Sequence, residues 1–160
     1  MLKFSHKVKK IKQVEILLVA LNSPVMIGIY ENGILMREIL SGAGEKASDF
    51  LIDKMDEILG CYEIKELIYA NTPGSFMGIK VSYVILKTLS TVLNLPFKAI
   101  NGFELNNFLP ISANKSVSFV YENGNIVLKK AKSTALKLPQ NLSKVNKSND
   151  TIPNYVISAV

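Results

Sequence analysis

The most distinctive stretch of the sequence lies between residues 70 and 80 and reads Ala70-Asn71-Thr72-Pro73-Gly74-Ser75-Phe76-Met77-Gly78-Ile79-Lys80. A short apolar run at residues 67–70 precedes it, and a long apolar segment at residues 77–95 follows it. Pro-Gly is typical of a turn, and Ser75 is a typical helix N-cap. The stretch is therefore predicted to connect a buried strand to a long helix.

A glycine-containing turn before a helix can hold phosphate, because the first N–H groups of a helix are free. The phosphate-binding P-loop requires the pattern G-x-x-x-x-G-K-[ST]. Here only three residues separate Gly74 from Gly78, and Val81 follows Lys80. A nucleophilic Ser75 would need a base, and His6 is the single histidine of the sequence. The sequence favours a structural turn over a Walker A loop or a hydrolytic serine.

The helix predicted at residues 77–95 is apolar on most of its surface. Its polar side chains share one narrow stripe, formed by Lys80, Lys87, Thr91 and Asn94. A helix of this kind must be buried on more than one side. One side can rest on its own sheet, and the other side needs a neighbouring helix, a partner protein, or both.

A second helix is predicted at residues 45–59, where apolar side chains recur at helical spacing. Its acids are read as a solvated stripe and not as a metal cluster; they are Asp49, Asp53, Asp56 and Glu57. Phe50, Ile52 and Met55 leave this helix with spare apolar surface. The two helices are therefore predicted to form a partner interface, carried by Leu51, Met55, Ile79, Tyr83 and Leu86.

The remaining apolar runs predict strands. Three of them form an opening meander around the turn Asn32-Gly33, and two more form a hairpin around Asn123-Gly124. Tyr-Glu-Asn-Gly occurs at residues 30–33 and again at 121–124, which fits either two independent hairpins or an internally duplicated fold. Residues 129–150 are rich in Lys, Ser and Asn and predict a mobile linker. Residues 152–160 predict an apolar tail that docks back on the body.

The net charge of +6 belongs to the two ends of the chain. Residues 1–12 hold five lysines and no acid, and residues 129–160 hold six lysines and one aspartate, so the middle carries a charge of −4. A basic pI suggests nucleic acid as a partner, but the folded body offers no basic face by this count. RNA is expected as the partner of a larger complex.

The composition also limits chemistry and location. One cysteine and one histidine exclude an intramolecular disulfide, a cysteine zinc cluster and a multi-histidine metal site. The apolar run at residues 16–21 is shorter than the core of a signal peptide. No stretch approaches the length of about 20 apolar residues of a membrane span. A cytoplasmic protein with no membrane partner is expected.

The stretch from about residue 64 to residue 105 resembles the TsaB (YeaZ) family, the bacterial companions of TsaD in making threonylcarbamoyl adenosine in tRNA. The family loop typically reads G-x-G-P-G-S-F-T-G-[LIV]-R, followed by a helix, an Ile-Pro strand and a Ser-Leu-Glu segment. The matching residues are the loop Pro73, Gly74, Ser75, Phe76 and Gly78, then Leu95-Pro96, then Gly102-Phe103-Glu104-Leu105. The resemblance extends over roughly residues 14–109.

Several positions depart from the family pattern. The acid that follows the first strand in the family is absent, because Leu21-Asn22-Ser23 stand there. A family glycine is replaced by Thr72, and the usual threonine by Met77. The second lobe is much shorter than in the family.

The resemblance implies an α/β, actin-like (ASKHA, RNase H-like) fold with a shortened second lobe. It divides the chain into a basic arm at 1–13, an N-terminal lobe at 14–109, and a truncated second lobe with linker and tail at 110–160. It implies a non-catalytic scaffold that binds TsaD through its helices, and TsaE and tRNA through the complex. It further implies no cofactor of its own, and it leaves open a homodimer when TsaD is absent and a nucleotide at the partner junction.

Two other functions remain open at this point. An actin-like ATPase or a glycoprotease-related enzyme would turn over nucleotide or cleave peptides as an isolated chain. A free-standing RNA-binding module would depend on the lysine-rich ends and bind RNA in a salt-sensitive manner.

Overall fold

The computed structural model describes residues 11–156, so most of the basic arm, including His6, and the last four residues of the apolar tail lie outside the described residues. The described chain contains two sheets, two α-helices and two short 3-10 helices. The strands are β1 (Gln13–Val19), β2 (Met26–Glu31), β3 (Ile34–Leu40), β4 (Glu63–Thr72), β5 (Phe97–Asn101), β6 (Ile111–Ser112), β7 (Ser118–Glu122) and β8 (Asn125–Lys129). The helices are α1 (Ala47–Cys61) and α2 (Phe76–Leu93), and the 3-10 helices are Gly102–Leu105 and Leu142–Lys144.

The larger sheet has the strand order β3-β2-β1-β4-β5. The first three strands form the antiparallel meander that the sequence predicts, and β4 and β5 add parallel strands beside β1. Strand β4 begins four residues before its apolar run at 67–70. Its first half alternates exposed Glu63 and Lys65 with buried Ile64, because only one face is covered there.

Both α-helices pack on the same face of this sheet. Each connects two parallel strands, and a right-handed crossover places both helices on one side. By length and mean hydropathy alone, α2 is apolar enough to cross a membrane, although Lys80 and Lys87 interrupt its apolar sequence. Its Ile79, Ser82 and Leu86 are buried, and its polar stripe is exposed as predicted. Packing against the sheet and α1 accounts for much of its apolar character.

The smaller sheet has the order β6-β7-β8 and is antiparallel throughout. Its hairpin turn resembles that of the first meander closely: Asn32 and Gly33 have φ values of +50° and +80°, and Asn123 and Gly124 have +51° and +79°. In both sheets this turn joins the second and third strands of a three-strand meander. The repeated Tyr-Glu-Asn-Gly therefore marks a repeated local topology.

Residues 136–150, here called the strap, correct the prediction of a mobile linker. Four of its side chains are buried against the core: Leu136, Leu138, Leu142 and Val145. The strap forms an isolated bridge with β3 through Asn141 and another with β5 through Ser148. The sequence does not indicate this role, because the four buried residues follow neither a helical nor a strand period. The strap also forms only two isolated β-bridges with the sheet and no continuous strand.

Side chains from the larger sheet hold the strap and the tail. The Tyr30 hydroxyl donates to the Pro139 carbonyl at 2.8 Å, and the Tyr69 hydroxyl donates to that of Thr151. Burial raises the pKa of both tyrosines, so both remain neutral donors at physiological pH. Beyond the sheet, the Tyr155 ring packs at a tilt of 42° against that of Phe76 on α2, with 4.5 Å between ring centroids. For the described part of the tail, residues 152–156, docking on the body is thus observed.

The turn before α2 packs directly on the end of β1. A Cβ on Gly74 would lie 2.4 Å from the Leu21 carbonyl oxygen, and one on Gly78 would lie 2.0 Å from that of Ala20. The Ser75 N–H donates to the Leu21 carbonyl at 2.8 Å. These two glycines let the helix approach the strand more closely than any side chain would allow.

Replacing Leu142 by Ala should lower the free energy of unfolding by about 2–4 kcal/mol, because it empties a buried site between the strap and the sheet. Urea unfolding followed by circular dichroism measures this change. The control is Lys144→Ala on the same 3-10 helix, which is exposed and should change stability by less than about 0.5 kcal/mol. Equal, negligible effects of both substitutions would mean that the strap is not packed in solution.

Replacing Gly78 by Ala should destabilise the chain by about 3 kcal/mol or more, because the added methyl group meets the Ala20 backbone. The matched control is Gly60→Ala near the end of α1, where nothing lies within 4 Å of the added atom. There the better helix propensity of alanine should raise stability by up to about 1 kcal/mol. Thermal unfolding of both variants tests the pair, and similar midpoints would contradict the close approach.

Candidate protein–protein interface

The family-loop residues lie together where β4 ends and α2 begins. Ser75 is the N-cap of α2, and its hydroxyl accepts the Gly78 N–H at 3.2 Å, as the sequence predicts. Pro73 and Gly74 are buried, and Phe76 is half-buried against Tyr155. The space in front of the glycines is filled by the chain's own β1. The geometry therefore makes this loop a packing element that fixes α2.

The structure places most of the predicted interface residues in the chain's own core. Leu51, Ile79 and Leu86 are fully buried, and Met55 retains 3% exposure. Tyr83 is half-buried beside Tyr69 and Phe97. These side chains face the sheet, so four of the five cannot form the centre of a surface for a partner. Met55 is the exception, because it also forms the floor of an open groove.

That groove runs between α1 and α2 and is here called the α1–α2 groove. Its volume is about 340 Å³, and its lining is apolar except for Asp56 and Thr88; the apolar residues are Ile52, Met55, Leu59, Val84, Ile85 and Leu89. Ile52 and Val84 are 61% and 53% exposed, and Val92 on the next turns of α2 is 73% exposed. A contiguous exposed apolar face of this kind is typical of a protein–protein contact.

Spacing alone could have identified this face. Ile52, Asp56 and Leu59 follow one another at helical spacing, as do Val84, Thr88 and Val92. Each set contains one polar residue, Asp56 or Thr88, so its apolar pattern is less regular than that of the residues that face the sheet. The sequence correctly indicates two apolar sides on α2, but the more apolar side is the core.

The two borders of the groove carry opposite charge. On α1 the exposed Asp56 lines the groove, and Asp49 and Asp53 precede Asp56 by seven and three residues. On α2 the exposed Lys80 and Lys87 lie four residues before and three residues after Val84, so helical spacing places them beside this lining residue. The described residues contain no other helix that could cover the face between them. The arrangement suits a partner with an apolar ridge and the reverse order of charges.

Residues 11–156 contain no group of three His, Cys, Asp or Glu side chains that could hold a metal ion. The acids of α1 are spread over its exposed side, in agreement with the solvated stripe. Cys61 is exposed at the end of α1. His6, the single imidazole, lies outside the described residues, and the Ser75 hydroxyl is engaged as a helix cap.

Comparison with protein-family models and with curated proteins finds no match. Comparison with solved structures finds YeaZ from Pseudomonas aeruginosa, with a TM-score of 0.50 and 14% sequence identity over 78% of this chain and 67% of that one. It also finds an uncharacterized Pseudomonas aeruginosa protein with similarity to peptidase YeaZ, with a TM-score of 0.51 and 12% identity over 74% of this chain and 64% of that one. The chain thus spans about two thirds of the length of these structures.

These structures share the mixed α/β architecture described above. They also carry the name of the family that the sequence of the loop at residues 70–80 resembles. At 12–14% identity the likeness concerns the fold. The resemblance drawn from the sequence is confirmed at that level: the chain has the fold of YeaZ.

Proposed function

We propose that the chain is a TsaB-type subunit of the machinery that forms threonylcarbamoyl adenosine in tRNA. In this role it is a non-catalytic scaffold that binds TsaD through the α1–α2 groove. The observation that carries the proposal is the combination of the YeaZ fold with an open apolar face on its two helices. The loop Pro73–Gly78 supports it, because this loop sets the position of α2 on the sheet.

The proposal extends to the fold family. The strand order β3-β2-β1-β4-β5, with one antiparallel meander and two parallel strands, is the order of an actin-like (RNase H-like) lobe. The three-strand second sheet is then a shortened second lobe. In this interpretation the two helices and the groove belong to the actin-like lobe, and the three-strand sheet lies outside it.

A pair of helices is the occupant that fits the groove best. The groove lies between two helices, so an apolar ridge of a partner helix can enter it and form a four-helix bundle. A second copy of this chain offers the same surface. If the second copy is turned so that its α2 lies over α1, the acids of one chain meet the lysines of the other. Because TsaD and a second copy would both occupy the α1–α2 groove, the homodimer and the TsaD complex should exclude each other.

The other partners follow from this role. TsaE and tRNA would be reached through the complex, and a nucleotide at the subunit junction would be shared with TsaD. The chain would hold no cofactor of its own and would act in the cytoplasm. The catalytic metal and the transfer step would belong to TsaD.

Replacing Val84 by Asp should weaken TsaD binding by at least about tenfold, because a carboxylate would be buried at the centre of an apolar contact. Isothermal titration with the cognate TsaD measures the change. Val84 is exposed in the isolated chain, so the variant should retain the fold. Leu86 is unsuitable for this test, because a charge on a fully buried side chain would unfold the lobe.

The matched control is Ile152→Asp, which places the same charge on an equally exposed apolar residue outside the groove. It should leave the affinity for TsaD unchanged. Undiminished binding of the Val84 variant would reject the groove as the interface. Undiminished tRNA modification in a reconstituted system without this chain would reject the scaffold role altogether.

The description of one structural neighbour as similar to a peptidase defines the enzymatic alternative. The isolated chain is expected to show no ATP hydrolysis above background, since Asn22 and Ser23 stand where the family has an acid. It is also expected not to cleave an unfolded protein substrate, since residues 11–156 contain no histidine that could act as the base for Ser75. Phosphate release and gel analysis measure the two activities. Turnover that follows the chain through purification and disappears in Ser75→Ala would favour the enzyme.

A further inference from the structure

The second sheet carries an exposed apolar patch that the α1–α2 groove does not include. Four large side chains there are between 40% and 49% exposed: Phe108, Leu109, Tyr121 and Leu128. Tyr121 lies on β7 and Leu128 on β8, and the other two lie in the turn that leads to β6. These four residues are here called the second-lobe patch.

The two exposed rings are held by a third ring that is fully buried. The Phe108 ring lies nearly parallel to that of Phe103, at 8° and 6.2 Å between centroids. The Tyr121 ring lies 5.4 Å from Phe108 and 5.6 Å from Phe103. Since Phe103 is fully buried, the other two rings form a supported aromatic platform that is open to solvent on its outer side.

The backbone also fixes this platform. Phe108 has a φ of +60°, which is unusual for an aromatic residue, and Asn107 before it has +58°. The Phe108 N–H donates to the Phe103 carbonyl at 2.8 Å, and the Asn106 side-chain amide donates to the Leu109 carbonyl at 2.9 Å. The ring therefore needs little further ordering when a flat ligand stacks on it.

The chain around the platform carries more lysines than acids. Residues 103–140 contain five lysines and two acids; Glu122 forms an ion pair with Lys129, and Glu104 accepts hydrogen bonds from Asn146. The other four lysines form no ion pair with a described residue; they are Lys115, Lys130, Lys132 and Lys137.

Two of these lysines follow the patch closely along the chain, because Lys130 is two residues after Leu128 and Lys132 is two residues before Thr134. Lys130 and Lys132 flank Ala131, whose carbonyl accepts the hydroxyl of Ser118 at the start of β7 at 2.8 Å. The chain then returns to the turn of the patch, where the Thr134 N–H donates to the Pro110 carbonyl at 2.8 Å.

We propose that the second-lobe patch binds single-stranded nucleic acid, with bases stacked on Phe108 and Tyr121 and phosphates near Lys130 and Lys132. Flat, rigid rings beside unpaired lysines match the two parts of a nucleotide, the base and the phosphate. The patch is separate from α1 and α2, so this inference stands independently of the proposed TsaD interface.

Fluorescence anisotropy with the full chain and labelled oligouridine of about 12 nucleotides tests the proposal, with oligothymidine of equal length as the DNA arm. Binding should weaken as salt rises from about 50 to about 200 mM. Phe108→Ala should weaken it by at least about fivefold, which is the loss of one stacked base. Lys130→Glu with Lys132→Glu should weaken it further, and both lysines are exposed, so this second variant should keep the fold.

Binding by both oligonucleotides supports a general single-strand site, and binding by RNA alone supports a site selective for RNA. A control variant with serine at the lysines of the arm should retain the effect of Phe108→Ala; these are Lys3, Lys7, Lys9, Lys10 and Lys12. The proposal is overturned if neither oligonucleotide binds, or if only the control variant loses binding. It is equally overturned if Phe108→Ala abolishes binding to phosphatidylserine vesicles while RNA binding is unchanged. The affinity for TsaD should not change in any of these variants.

Discussion

The first turn of α2 lies against the end of β1 with no side chain between them, and the rest of the lobe is arranged around this contact. Gly78 meets the Ala20 carbonyl, and Gly74 meets Leu21. With α2 held this close to the central strand, α1 packs beside it and the groove forms between the two helices. The glycines that look like a phosphate cradle thus act through packing.

The strap gives the larger sheet its second covered face. Helices cover one face, and residues 136–150 cross the other between the two edge strands, β3 and β5. A sheet with an exposed apolar face would be unstable in water, and Leu142 and Val145 bury part of that face.

The chain exposes two surfaces of different chemistry. The α1–α2 groove is apolar with acids on one border and lysines on the other, which suits a helical protein partner. The second-lobe patch presents two aromatic rings, and the nearby Lys130 and Lys132 form no ion pair within residues 11–156, a combination proposed above to bind nucleic acid. A positive net charge could not distinguish these surfaces, because it does not tell which lysines lie near exposed aromatic rings and which lie near the groove.

The sequence by itself determined the elements, because apolar period, Asn-Gly turns and the Ser75 cap are local signals. It indicated the three strands of the meander, both helices, and the resemblance to YeaZ through the loop at residues 70–80. Only the tertiary structure decided which side of each helix faces the sheet. Leu51 on α1 belongs to the core and its neighbour Ile52 lines the groove, and on α2 Leu86 belongs to the core and Val84, two residues earlier, lines the groove. All four side chains are apolar, so hydrophobicity alone does not separate the two sides. Tertiary structure also decided that the strap packs on the core. Its burial depends on contacts with strands about a hundred residues earlier in the chain, such as that of Tyr30 with Pro139.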